Sequence, residues 1–507
     1  MPTANTPSST TATTTAVADP PLDIPLFLSS VRLGAAPPAR DPATQTDLML
    51  VPDDATPEER FVSSLAAMVY NMDTDEGRFD KQTVQELVGT IDTLVADQLN
   101  AVLHAPEFQE VEAQWTALAD LVRNTNFKAN IELSLLDVSK EEAYSDLETN
   151  AADVAGSEFF KKLYVAEYDQ YGGAPYGALV GLFEFANTPQ DMLWLKTMGK
   201  IAAASHAPFV ASVSPRFFGC DSMREVAQLR DVASLLDSPK YSAWNALRET
   251  DEASYVGLTL PRYIVRPPYN PETYPAPGMT FTEAVKGDKE EEYLWGNAAM
   301  LFARNLVRSF ETSGWCQHIR GPRGGGLVAG LPVHLTHLRG EEEMKLPVEM
   351  SIPDFRELEL ANGGFIPLIH KKGSAEAVFF SVQSLKRAQV FEDPKDSENS
   401  QLVTNLAYTY SISRIAHYVK AIMRENIGST AGAQYMQQQI ERWISRYVTT
   451  LVNPDDLTLR YYPFKAYNLT VAEVPGKVGW FHCNLSVLPH IQFEGMNVDL
   501  RVDARLG

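Results

Sequence analysis

A chain of 507 residues with 45% hydrophobic and 21% charged side chains has material for more than one core and is too apolar for a disordered polymer. Its formal charge of −22, with basic runs no longer than pairs such as Lys161-Lys162 and Lys371-Lys372, argues against nucleic acid and membrane surfaces as partners. Three scattered cysteines, Cys220, Cys316 and Cys483, argue against a disulfide framework, and the absence of a basic-then-apolar leader or of about 18 uninterrupted apolar residues predicts a cytoplasmic protein.

Residues 1 to 21, rich in Thr, Ser, Ala and Pro, read as a disordered arm. DIPLFLSSVRLG, 23 to 34, fits either a docking segment or a strand on its own domain, and a Pro-rich linker follows to residue 46. A helical region over 47 to 150 comes next. Thr56-Pro57-Glu58-Glu59 is an N-cap signal ahead of Phe61, Leu65, Met68 and Val69. A second helix is predicted through Val84, Leu87, Val88, Ile91, Leu94 and Val95, and a third from Pro106 with Phe108, Val111, Trp115, Leu118 and Val122.

Alternation at Ile131, Leu133 and Leu135 predicts a strand, and Ser139 with Glu142 a capping box. A helix over 157 to 168 then leads through the loop YGGAPYG into an apolar strand, Ala178 to Phe185, and Thr188-Pro189 opens a helix carrying Leu195, Met198 and Ile201. Further strands are predicted over 208–214, 255–265, 314–319, 326–336, 345–352, 364–370 and 376–383, with helices over 221–231, 238–250 and 290–311. The tight turn KKGS joins the last two strands, so the domain over 151 to 390 reads as an α/β unit with a mixed sheet.

The polar, turn-rich stretch FEDPKDSENS, 391 to 400, marks a boundary before a C-terminal unit over 391 to 507. That unit should hold one helix through Leu402, Leu406, Ile415, Val419 and Ile422 with Gly428 as its stop, and another through Met436, Ile440, Ile444, Val448 and Leu451. Strands near 464–474 and 478–488 follow, then a last alternating run with Val498, Leu500 and Val502 on one face. The fold class is α/β, of mixed α+β character.

Chemistry-bearing patterns are few. Gly324, Gly326 and Ala329 loosely match a dinucleotide-binding loop, but a strand-like run follows where a helix N-terminus is required. His334 and His337 fall on opposite faces of a strand, so a metal set with His318 or His370 is disfavoured. The acids of Lys289 to Glu292 read as a helix start, and Glu341 to Glu343 as a solvated loop. Cys220 with His206 as base would be an unusual nucleophile pair with nothing in the sequence to bring them together. No catalytic residue, cofactor or metal ligand is assigned.

The block EFFKKLYVAEYDQYGGAPYGALVGLFEF resembles the signature of the large sheath subunit of bacterial type VI secretion systems, the TssC/VipB/ImpC/EvpB family. The resemblance continues through SHAPFVASVSPRFFGC, RYIVRPPY, the helix ending at GWCQHIRGPRGGG and WFHCNLSVLPHIQFEGMNVDLRV, covering roughly residues 55 to 505. It implies a structural protein that pairs with a small sheath subunit and with neighbouring copies in a contractile tube around an inner Hcp tube. The tube is attached to a membrane-anchored baseplate and dismantled by a ClpV-type AAA+ ATPase recruited through the small subunit. Mapped onto this chain, the family's interlacing strands are an acceptor hairpin containing Tyr467, Leu469, Val471, Trp480, His482 and Asn484 and a donated strand containing Val498, Leu500 and Val502. Glu441 and Arg442 are candidates for the inner-tube contact, and Tyr171, Gly172, Gly173 and Gly177 for a structural turn. An enzyme with a site near Cys220 and His206, or an adaptor that never polymerises, are the competing readings.

Overall fold

The computed structural model describes residue 56 and residues 81–285, 289–338, 341–427, 432–451, 454–476 and 480–490. The arm, the 23–34 segment, the helix after Thr56, the Gly428 stop and the strand with Val498, Leu500 and Val502 lie outside them. The chain divides into two units, Met1–Leu94 and Val95–Gly507, and the sheets and cores belong to the second.

The helical region contains α1 (Lys81–Leu103), α2 (Pro106–Arg123) and α3 (Lys140–Thr149). Pro106 opens α2 with its pre-set φ, and Ser139 and Glu142 form a complete capping box on α3. Between them, the segment predicted as a strand has no ladder partner. Ile131 and Leu133 lean on the core while Leu135 and Leu136 are exposed, so the alternation records a strap pressed on one side rather than a sheet.

A short helix, Glu158–Phe160, continues as π-helix over Lys161–Tyr168 and enters the glycine loop. Beyond it come β1 (Leu179–Phe185), α4 (Pro189–Ser205) and β2 (Phe209–Val213). The Thr188 side chain caps α4, and His206 ends it at a φ of 51°. The main sheet takes up β3 (Val256–Leu260) directly after β2. Pro261 has no N–H for the ladder, and the predicted 255–265 strand splits there, leaving β4 (Tyr263–Ile264) to pair with β5 (Trp295–Gly296).

That small pairing corrects the helix predicted over 290–311. Glu290–Glu292 form only a 3-10 turn, and α5 runs Ala299–Ser313. After α5 the predicted strand 314–319 is irregular, because Ser309 Oγ donates to the Trp315 carbonyl and accepts from His318 N, taking bonds a ladder would have used. The 326–336 run holds β6 (Leu327–Ala329) and the start of β7 (Leu335–Leu338). The acids predicted as a solvated loop form β8 (Glu341–Met344) against β7, and 345–352 contributes only a single bridge, Val348 to Tyr263. An unpredicted helix, α6 (Asp354–Asn362), precedes β9 (Phe365–His370) and β10 (Glu376–Phe379).

The six strands run in the order β1-β2-β3-β9-β10-β6, parallel through β9 and antiparallel across β9, β10 and β6, so the sheet is mixed as expected. Alternating residues feed two cores: Phe209, Ala211, Phe365 and Ile369 face α4, while Val210, Ile366 and Leu368 face α5.

In the C-terminal part, FEDPKDSENS is not a simple linker, because α7 spans Pro394–Val403. The long helix predicted through Leu402 therefore begins at Asn405, whose side chain caps α8 (Leu406–Glu425). The next helix, α9, is Ala433–Ile444, shorter than predicted, and leaves Val448 and Leu451 outside. An unpredicted helix, α10 (Asp456–Tyr461), leads into the hairpin β11 (Phe464–Glu473) and β12 (Phe481–Pro489).

Candidate assembly site

The hairpin pairs Tyr467 with Val487, Leu469 with Leu485 and Val471 with Cys483. Its inner face is apolar by period-two alternation and packs on α9: Phe464 and Leu469 are buried, and Ile444, Ile415 and Trp315 complete a small third core. Gln437 Nε2 of α9 donates to the Leu469 carbonyl at 3.5 Å, and Val448 bridges to Phe464. An isolated two-stranded hairpin is marginal in water, and this packing supplies the missing support. Among the described residues, the sheet ends at these two strands.

Of the acceptor residues named from sequence, Tyr467, Leu469 and Val471 lie on the inner face. His482 and Asn484 are exposed on the other, because they pair with Ala472 and Thr470. Trp480, 63% exposed, stands beside the turn, its carbonyl accepting from Val474 N at 2.8 Å. On α9, Glu441 is half-buried and accepts from Gln437 Nε2 at 2.8 Å, whereas Arg442 is exposed.

The glycine-rich loop is tied to the C-terminal helices. Lys420 Nζ of α8 pairs with Asp169 at 2.7 Å and lies 3.8 Å from the Tyr168 ring centroid, and Arg424 donates to the carbonyls of Gln170 and Tyr168. One turn earlier, His417 Nε2 donates to the Ser205 carbonyl at 3.0 Å, beside Tyr168 and His206. Burial, the Lys420 and Arg414 charges and the neighbouring His206 hold the His417 pKa at about 4 despite that bond, and burial pushes Tyr168 up to about 12. The face His417, Lys420, Arg424 was not singled out from sequence, although its i, i+3, i+7 spacing on a helix was a usable signal. Within the loop, Gly172 has a φ of +82°, a Cβ on Gly173 would sit 2.3 Å from the Glu167 carbonyl oxygen, and one on Gly177 would meet nothing within 4 Å. Tyr171 is 78% exposed.

Helix α2 has two apolar faces. Ala113, Ala117 and Leu121 are buried, whereas Phe108, Val111, Trp115 and Val122 are exposed. Behind it, RYIVRPPY supplies two arginines: Arg262 makes two bonds to Glu349, and Arg266 sits between Glu112 of α2 at 2.6 Å and Glu283 at 2.7 Å. Sequence reading noted the motif without these roles.

The discarded chemistry finds ordinary partners. Cys220 is buried beside the Phe218 carbonyl, with its pKa raised by burial and by Glu225 and Asp221, while His206 Nδ1 meets the Tyr255 hydroxyl at 3.2 Å. A raised thiol pKa is the reverse of what a nucleophile requires. His334 bonds Tyr293, and His370 Nε2 donates to the Ser374 carbonyl. Among the described residues, no cluster of His, Cys, Asp and Glu suits a metal, and no helix is long and apolar enough to cross a membrane. In the glycine-rich turn, a Cβ on Gly326 would be 2.4 Å from the Phe379 carbonyl oxygen; Asn305 and Arg308 of α5 hold the adjacent carbonyls, so this is a packing device.

Two family descriptions match the chain in tandem: EvpB/VC_A0108, tail sheath N-terminal domain, over residues 85–386, and EvpB/VC_A0108, tail sheath gpW/gp25-like domain, over residues 395–506. The chain belongs to the type VI secretion sheath family. It is 37% identical over 428 residues to the type VI secretion system sheath protein TssC1 of Pseudomonas aeruginosa, covering 84% of this chain and 86% of that protein. Solved structures similar to it include the anti-feeding prophage baseplate, with a TM-score of 0.36 and 12% identity over 74% of this chain and 84% of that one. The contracted helical sheath of the same particle gives a TM-score of 0.31 and 11% identity over 61% and 67%. This sheath protein is thus the large subunit of a contractile type VI secretion sheath, a structural protein and not an enzyme.

Proposed function

We propose that the sheath protein pairs with a small sheath subunit, interlaces with neighbouring copies through its C-terminal hairpin, and encloses an Hcp-type inner tube that contraction expels. The observation that carries this reading is β11–β12: a hairpin anchored on α9, with no further strand in its sheet among the described residues. A sheet edge takes an incoming strand by main-chain hydrogen bonds, and an open helical polymer needs such unlike, complementary surfaces. The donated strand is the run with Val498, Leu500 and Val502 from another copy. Interlaced strands keep neighbours joined while rigid domains rearrange in contraction.

The region over 47 to 150 meets the small subunit, with the exposed apolar face of α2 as its contact. Arg442 and Glu441 face the inner tube, one end of the sheath meets the baseplate, and the ClpV-type ATPase acts through the small subunit in the bacterial cytoplasm. Electron microscopy of the chain co-expressed with its small subunit tests the interlacing. Deletion of residues 495–507 should abolish ridged tubes while leaving soluble heterodimers; tubes of normal length from the deleted chain would overturn it. Charge reversal at Glu441 and Arg442 should release the inner tube from the sheath, and unchanged co-sedimentation would remove them from that role.

A further inference from the structure

A second site lies where α5, the 318–325 turn and α10 meet. A cavity of about 60 Å³ there is lined by Arg308, Ser309, Thr312, Ser313, His318, Gly325 and Arg460. The volume is several times the ~10–15 Å³ that admits one water. Its polar groups are unequal. The three hydroxyls already donate to backbone carbonyls of Trp315, Arg308 and Ser309. His318, 9% exposed, has its Nδ1 buried with no partner in the protein. Arg308 spends Nη2 on Asn305 Oδ1 and the Gly325 and Leu327 carbonyls, and Arg460 spends Nη2 on the Arg323 carbonyl, which leaves each guanidinium further N–H groups.

We propose that this cavity binds a small inorganic oxyanion of the phosphate class, held between Arg308 and Arg460 with His318 Nδ1–H as a third donor. Two guanidiniums with N–H groups to spare and an orphaned imidazole nitrogen line one small space, and a polydentate anionic acceptor satisfies all three while offsetting the paired positive charge. Burial lowers the Arg308 pKa, and the charges of Arg304 and Arg460 add to the effect. Burial and Arg460 hold His318 at about 4, against an opposing pull from Asp456 on α10. Arg308 belongs to the 85–386 match and Arg460 to the 395–506 match, so a bound anion would brace one family module against the other.

The test uses the full chain co-expressed with its small subunit and inorganic phosphate as the probe. Equilibrium dialysis with radiolabelled phosphate should find about one site per chain, displaced by sulfate and not by chloride at equal ionic strength. Absence of saturable uptake would overturn the site. Arg460→Gln, which spares the Arg308 bonds to the turn, should weaken uptake at least tenfold and abolish the specific rise in melting temperature over chloride. Phosphate also stabilises proteins by exclusion from their surfaces. An equal rise in the variant would therefore assign the effect to exclusion and reject the site.

Discussion

Gly173 and Gly177 stand four residues apart in one loop, yet only the first faces backbone at a distance no Cβ accepts. Gly173→Ala should therefore cost about 1–3 kcal/mol as the loop shifts, while Gly177→Ala should stay within about 0.5 kcal/mol, as chemical denaturation of the two variants can decide. Arg266 is a sharper case. It is 4% exposed between two carboxylates, and its removal takes from Glu112 and Glu283 the cation they share in a poorly solvated place. Arg266→Ala should lose about 3–5 kcal/mol, and a double-mutant cycle with Glu112→Gln should recover part of that loss. From sequence, the two arginines of RYIVRPPY were visible as charges in an apolar run, but their partners lie 87 and 154 residues away for Glu349 and Glu112.

Helix α8 grips the π-helical segment and the loop after it through Lys420 and Arg424, and the end of α4 through His417. The neutral imidazole of His417 is the form that fits, since burial holds its pKa at about 4, below the ordinary histidine value of about 6.5. A depressed histidine contributes stability that is complete above pH 6.5 and is lost as the pH falls toward 4, because the unfolded chain takes up the proton first. The full shift corresponds to about 3 kcal/mol. Melting of the wild type should decline over that window, and His417→Gln, which keeps a donor for the Ser205 carbonyl, should flatten the decline; identical pH profiles would show that other groups govern it. Lys420 and Arg424 could have been read from helical spacing. Their partners could not, since nothing local ties α8 to a loop some 250 residues earlier.

At the scale of the molecule, the exposed residues of α2 form an apolar stripe that a free subunit leaves in water, which is how surfaces awaiting a partner are recognised. Trp115, 63% exposed, is its largest member. Trp115→Ser should leave the melting temperature of the isolated chain nearly unchanged while lowering recovery of the small subunit in co-purification by tenfold or more; unchanged recovery would place the small subunit elsewhere. Sheath assembly and fold stability then become separable, as a polymer built from folded subunits requires.

What the sequence by itself determined was local or collective. The capping box on α3, the Thr188 cap, the antiparallel turn at KKGS and the hairpin strands are set by neighbours within a few residues, and the family by many ordered motifs taken together. Periodicity misled where burial came from packing without a ladder, as at Ile131 and Leu133, or where side chains took the backbone's bonds, as Ser309 does for 315–318. Only the tertiary structure decided which hairpin residues face α9, which α8 cations reach the loop, and that Arg308, His318 and Arg460 share one cavity. Those facts depend on distances between residues far apart in the chain, which local propensity does not encode.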